Sequence, residues 1–210
     1  MKKYNYKEYM NNLTNVVQNA PWSNLKFYQE YLAQAYYYTS HSTKLLAAAA
    51  GNCNQNQESY YKRCIEHIKE EHGHDLIALS DLKVTHDTLE NHPELSSTKA
   101  FWEPQYYKVQ KNPYSLLGYI FSLEYKVVVS SKEVYAKIKA AHGDKCCNFL
   151  KVHIEDDPDH VKKAYDQIMS LNEIDQKLIW QNYEQTTDMF GIFLLEIEKV
   201  SSKVKTKVAS

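Results

Sequence analysis

Apolar residues recur every three to four positions along nearly the whole chain, the spacing that gathers them on one face of an α-helix. The pattern predicts a first helix over Tyr6–Gln18, stopped ahead of Pro21. Ser23 reads as the N-cap of a long segment closing at Gly51. That segment is expected to bend around Thr39–Thr43, where hydroxyl groups compete for backbone carbonyls. A third helix is predicted over Gln57–Leu82, with a looser stretch to Pro93. Ser97 starts a shorter helix interrupted near Pro104, and Pro113 opens a long one that ends before Gly143. Two more follow, over Lys145–Leu171 and Glu173–Lys205. No repeat, low-complexity block or linker interrupts the series, so residues 1–210 read as one all-α domain, a bundle of about seven helices.

Composition narrows the function more than the fold. The net charge of -1 and a single arginine, Arg63, speak against a nucleic-acid binder, because phosphate and base contacts favour the guanidinium fork. The lysines read as solvated helix surface. No run approaches the ~20 apolar residues of a membrane span, and the polar start Met1–Asn5 lacks the apolar core of a signal peptide. Cys53, Cys64, Cys146 and Cys147 lack CxxC spacing, so neither a zinc site nor a disulfide framework is expected. A cytoplasmic protein fits best. The 18 tyrosines, Tyr36–Tyr38 among them, read as helix-packing material.

Three stretches place ionisable groups where burial is predicted. In the segment Phe149–His160, positions four and seven apart share a helix face, so His153, Asp157 and His160 point toward a common centre. Imidazole with carboxylate suits iron, manganese or zinc. The competing reading makes Asp157 the cap of a new helix with Pro158 at its first position. Glu124 lies in the middle of an apolar stripe formed by Leu117, Ile120, Phe121, Val127 and Val128. A buried carboxylate needs a partner, either a metal or a Lys or Tyr from a neighbouring helix. His67, Glu70, Glu71 and His74 form a third face, continued toward the core by Ile77, Ala78 and Leu82; a solvated helix surface is the alternative.

In this order on successive helices, the three clusters resemble the heme-oxygenase-like diiron oxidases, whose fold is shared with heme oxygenase, the thiaminase TenA and pyrroloquinoline-quinone synthase. The diiron members carry a carboxylate-and-histidine helix, then a lone glutamate, then an HxxxDxxH helix. Phe149-Leu150 ahead of His153 and the Glu71-xx-His74-Asp75 pairing add to the resemblance, which covers about Leu25 to Val200. It implies a heme-oxygenase-like fold and a non-heme site for two ferrous ions built from Glu71 (or Glu70 in its place), His74, Glu124, His153, Asp157 and His160. It further implies an oxidase or oxygenase that uses dioxygen on a small organic acid or amine. Several members have a glutamate where this chain has His67, which leaves that residue and full occupancy of the second iron site open. No heme is expected, since His41 is the only histidine in the first 66 residues. Two alternatives stand beside this reading. One is a metal-free enzyme, either TenA-like and using Cys146 or Cys147 or like pyrroloquinoline-quinone synthase; the other is a non-catalytic, partner-binding helical protein. A homodimer is compatible with each.

Overall fold

The computed structural model describes residues 4–203, apart from the side chain of Asp156. The predicted ends at Met1 and at Lys205 lie outside the described residues. Within them the chain is helical with no strand. Helices α1 (Tyr6–Asn19), α2 (Leu25–Thr39), α3 (Ser42–Asn52), α4 (Glu58–Glu71) and α5 (His74–Val84) form the first half. They are followed by α6 (Ser96–Lys111), α7 (Leu116–His142), α8 (Asn148–Ser170) and α9 (Glu173–Lys203). The described residues form an all-α bundle, as the apolar periodicity predicts.

Two predicted helices are each divided in the structure. The bend expected near Thr39 is a break at Ser40–His41, and the Ser40 hydroxyl donates to the Tyr37 carbonyl at 2.8 Å. The helix expected over Gln57–Leu82 stops at Glu71 and restarts at His74, because Gly73 takes a left-handed conformation (φ 93°). Asn24, not Ser23, caps α2 by accepting from the Lys26 amide. Pro104 does not interrupt α6: Ala100, whose carbonyl loses its amide partner, is exposed and can turn to water. Pro158 likewise lies inside a continuous α8, so Asp157 is a helix-interior residue and not a cap.

Helix α7 runs through the middle, packed along α8 on one side and α9 on another. Phe27, Phe101, Phe121, Phe190 and Phe193 fill the core between helices. Buried tyrosines tie distant elements through their hydroxyls: Tyr28 donates to the Cys146 carbonyl at 2.6 Å, and Tyr183 to the Tyr6 carbonyl at 2.8 Å. Asp81 of α5 caps the start of α8, accepting from the Phe149 amide at 2.8 Å and the Asn148 side chain at 2.9 Å. This bond fixes the rotation of α8 against α5.

Where α7 crosses α9, Gly118 leaves no room for a side chain. A Cβ there would collide with the backbone carbonyl of Ile179 and lie 2.8 Å from the Tyr183 nitrogen. Gly191 in α9 is different, since a Cβ would meet only a Leu13 methyl at 3.9 Å. Gly118→Ala is therefore expected to destabilise by roughly 1–3 kcal/mol, backbone overlap outweighing a helix-propensity gain of about 1 kcal/mol. Gly191→Ala should keep that gain and raise the melting temperature. Thermal unfolding of both variants checks the pair, and a stable Gly118→Ala would contradict the close crossing.

Candidate metal centre

Four helices converge on one buried cluster. Helix α4 supplies His67 and Glu71, α5 supplies His74 from its first position, α7 supplies Glu124, and α8 supplies His153, Asp157 and His160. Their ligating atoms sort into two groups. His67, Glu124 and His160 form one triad, and Glu71, His74 and His153 the other, with the atoms of each within 4.8 Å of one another. Glu71 faces both: one oxygen lies 3.5 Å from His67 Nε2, the other 3.6 Å from His74 Nδ1. Glu124 Oε1 lies 3.3 Å from His67 Nε2 and 3.6 Å from His160 Nδ1. Asp157 sits beside the first triad, 3.8 Å from His160 Nδ1.

The outer nitrogens of the α8 histidines are engaged in a way that fixes their inner ones. His153 Nδ1 lies 2.7 Å from the Phe149 carbonyl, which can only accept, so the proton sits on Nδ1 and Nε2 keeps its lone pair. His160 Nε2 lies 3.2 Å from Glu70 Oε2, and Lys163 lies 3.7 Å from the other Glu70 oxygen. A carboxylate behind an imidazole holds its ring in place and raises its basicity. Glu70 thus stands behind the cluster while Glu71 stands inside it.

The electrostatics of this cluster are unbalanced. Burial, followed by the Glu124 and Glu71 carboxylates, pushes Asp157 up to about 9. Burial alone would lower the His67 pKa, but Glu124 and Glu71 override it and hold it at about 10. Burial pushes His153 down, toward the neutral form that ligates metals. Both Glu124 oxygens, Asp157 Oδ2, His67 Nε2 and His160 Nδ1 are buried with no hydrogen-bond partner. Once His67 and Asp157 give up their protons, these converging lone pairs form the donor set that a cation requires.

A cavity of about 70 Å³ adjoins the cluster, where a single water needs roughly 10–15 Å³. His67, Glu71, Glu124, His153 and Asp157 open onto it. Much of the remaining wall is apolar, with Leu45, Leu46, Leu116, Ile120 and Leu123, while Tyr119 contributes a buried hydroxyl without a hydrogen-bond partner.

A family model of iron-containing redox enzymes matches residues 29–190. The chain belongs to this family of iron-containing redox enzymes. Among solved structures, a domain of unknown function with a heme oxygenase-like fold from Shewanella denitrificans OS217 superposes with a TM-score of 0.86. It is 19% identical, over 97% of this chain and 94% of that one. A TenA homolog from Pseudomonas syringae pv. tomato str. DC3000 gives a TM-score of 0.76 at 13% identity, over 92% and 91% of the two chains. No curated protein matches the sequence.

For a family of iron-containing redox enzymes, the donor set is chemically apt, since imidazole and carboxylate together suit iron in preference to softer ions. All seven residues singled out in the sequence meet in one place, but their grouping differs from the expectation. His153 and His160 do not share a centre; seven residues of helix separate them by roughly 10 Å along the axis, and they fall in different triads. His67 and His74 do not share one helix, because Gly73 breaks it between them. Val128, expected in the buried stripe around Glu124, is 38% exposed.

Sequence reasoning missed two residues. Lys126 was expected on a solvated surface with the other lysines, yet it is buried and lines the cavity. Asp81 caps α8 from behind the cluster, and no local pattern marks it. The sequence pattern places Glu70 on the candidate face with Glu71, but the structure puts it behind His160. His41 stacks on Trp102 with ring centroids 3.6 Å apart and does not line the cavity. None of the four cysteines lines it either, and burial pushes the Cys147 thiol up to about 12.

The contrast between adjacent glutamates is directly testable. Glu71→Gln is expected to lose at least half of the bound iron, because its carboxylate reaches both triads. Glu70→Gln should keep its iron when ferrous ion is in excess, with affinity lowered about 10–100-fold by the loss of the group behind His160. Anaerobic titration with iron counting after desalting reads both. Identical behaviour of the two variants would contradict their assignment to inside and behind.

Proposed function

We propose that the protein is a non-heme diiron oxidase or oxygenase that uses dioxygen to oxidise a small organic acid or amine. The observation that carries this reading is a pair of neighbouring triads, one buried and one partly buried, with Glu71 facing both beside a largely apolar cavity. In it, His67, Glu124 and His160 would hold one ferrous ion, with Asp157 alongside, and Glu71, His74 and His153 would hold the other. Bound iron would supply redox chemistry toward dioxygen at this place.

The chain's own groups do the rest. Glu71, whose two oxygens face His67 and His74, would offset part of the repulsion between two cations held there. Glu124 and Asp157 would add negative charge next to His67, which is neutral when it ligates a metal. The Phe149 carbonyl and Glu70 keep His153 and His160 in ligating orientation. The leucine and isoleucine wall excludes bulk water from the cavity and so limits loss of reactive species to solvent. A single domain working in a reducing cytoplasm accords with four free thiols and a ferrous resting state.

The metal-free TenA-like alternative is less well supported, since no cysteine lines the cavity. A non-catalytic module would leave the partnerless carboxylates without a purpose.

Anaerobic ferrous titration is expected to give two irons per chain, and exposing the loaded protein to air should consume dioxygen. His153→Ala and His160→Ala should each retain about half of the wild-type iron, because each strips a different triad. Wild-type protein that retains no iron after reconstitution would overturn the proposal. Loss of all iron from either variant alone would contradict the division into two triads.

A further inference from the structure

Lys126 has no place in the metal chemistry, yet it is 6% exposed and its side chain forms part of the cavity wall. Its ammonium sits 4.0 Å from the centroid of the Phe190 ring, which cushions it from one side. Among the described residues no carboxylate forms an ion pair with it, and Asp157 supplies only a longer-range attraction. Burying a lysine without a counter-ion is costly, so the site requires an explanation.

The charge balance of the proposed centre gives one. Two ferrous ions set against Glu71, Glu124 and Asp157 leave an excess of one positive charge, the histidines being neutral as ligands. Lys126 raises the excess to two at the cavity wall. Once Asp157 is committed to the metal, Lys126 has no anion of its own among the described residues. An ammonium-bearing ligand would enter against this field, whereas a carboxylate would neutralise part of it.

We propose that Lys126 is the anchor for a carboxylate, so that the substrate is an acid and not an amine, with an apolar chain lying against Leu45, Leu46, Ile120 and Leu123. This assignment rests on the diiron reading and decides between the two substrate classes that reading leaves open. Lys126 lines the same cavity as Glu124 and Asp157, so the anchored end lies close to the cluster and the first few carbons are held within its reach. The Tyr119 hydroxyl, two helical turns before Lys126 on the same helix, offers a second donor on the cavity wall.

The test compares hexanoate with hexylammonium, by anaerobic isothermal titration calorimetry on ferrous-loaded and on metal-free protein at constant ionic strength. Wild-type loaded protein is expected to bind hexanoate at least about tenfold more tightly than hexylammonium. Lys126→Met should lose at least about tenfold in hexanoate affinity, and Lys126→Arg should recover part of it. Iron content and helical circular dichroism are measured on every variant; Lys126→Gln replaces Lys126→Met if the latter misfolds. Equal affinity for the two probes, no hexanoate binding by the wild type, or unchanged hexanoate affinity in Lys126→Met would overturn the inference. So would a loss of iron in Lys126→Met, since the lysine would then be organising the metal site. Failure of the wild type to bind iron would instead defeat the diiron reading. In that case the metal-free comparison still decides the anchor: hexanoate preference lost in Lys126→Met supports it, and no preference rejects it.

Discussion

The burial of three carboxylates at the junction of α4, α5, α7 and α8 constrains the rest of the structure. Glu124 and Asp157 have oxygens without hydrogen-bond partners, and the second Glu71 oxygen faces His74 at 3.6 Å. Burial, and then repulsion from the Glu124 and Glu71 carboxylates, pushes Asp157 up to about 9. The bundle tolerates the arrangement because its packing is set elsewhere. The aromatic core, the crossing at Gly118, the tyrosine ties and the Asp81 cap hold the helices in place. A pair of cations would turn this repulsion into ligation, so the same residues that weaken an empty site would stabilise a filled one.

The supporting shell is asymmetric. His153 is held by the backbone of its own helix, one turn before it, whereas His160 is held by Glu70 from α4. One support is local and available as soon as α8 forms; the other requires α4 and α8 to be docked. Asp81 links α5 to the start of α8, so His74 and His153 are brought together by the same contact that orients α8. The two halves of the proposed site thus depend on different tertiary contacts, although Glu71 reaches both.

Most of the fold was legible because apolar periodicity survives in nearly every helix. What failed were the boundaries. A continuous pattern from Gln57 to Leu82 hides the left-handed Gly73, since periodicity records which face is buried and not whether the backbone continues. The prolines at 104 and 158 misled in the opposite direction, because a helix can run through a proline where the freed carbonyl finds water or other partners. The seven candidate residues were visible as ionisable groups on buried faces. Their grouping was not, because assigning His153 and His160 to different triads needs the positions of α4, α5 and α7. Adjacent residues such as Glu70 and Glu71 differ by roughly 100° around the helix, and only the docked structure shows which one points inward. Lys126 was missed because a lone lysine in a charged protein reads as surface.

The central claim is that the two triads are neighbouring iron sites joined by Glu71. Anomalous diffraction at the iron edge, from crystals grown anaerobically with ferrous iron, tests it most directly. The account predicts two peaks per chain, one among His67, Glu124 and His160 and one among Glu71, His74 and His153, with Glu71 density reaching both. A single peak shared by His153 and His160, or no peak among these residues, would contradict it.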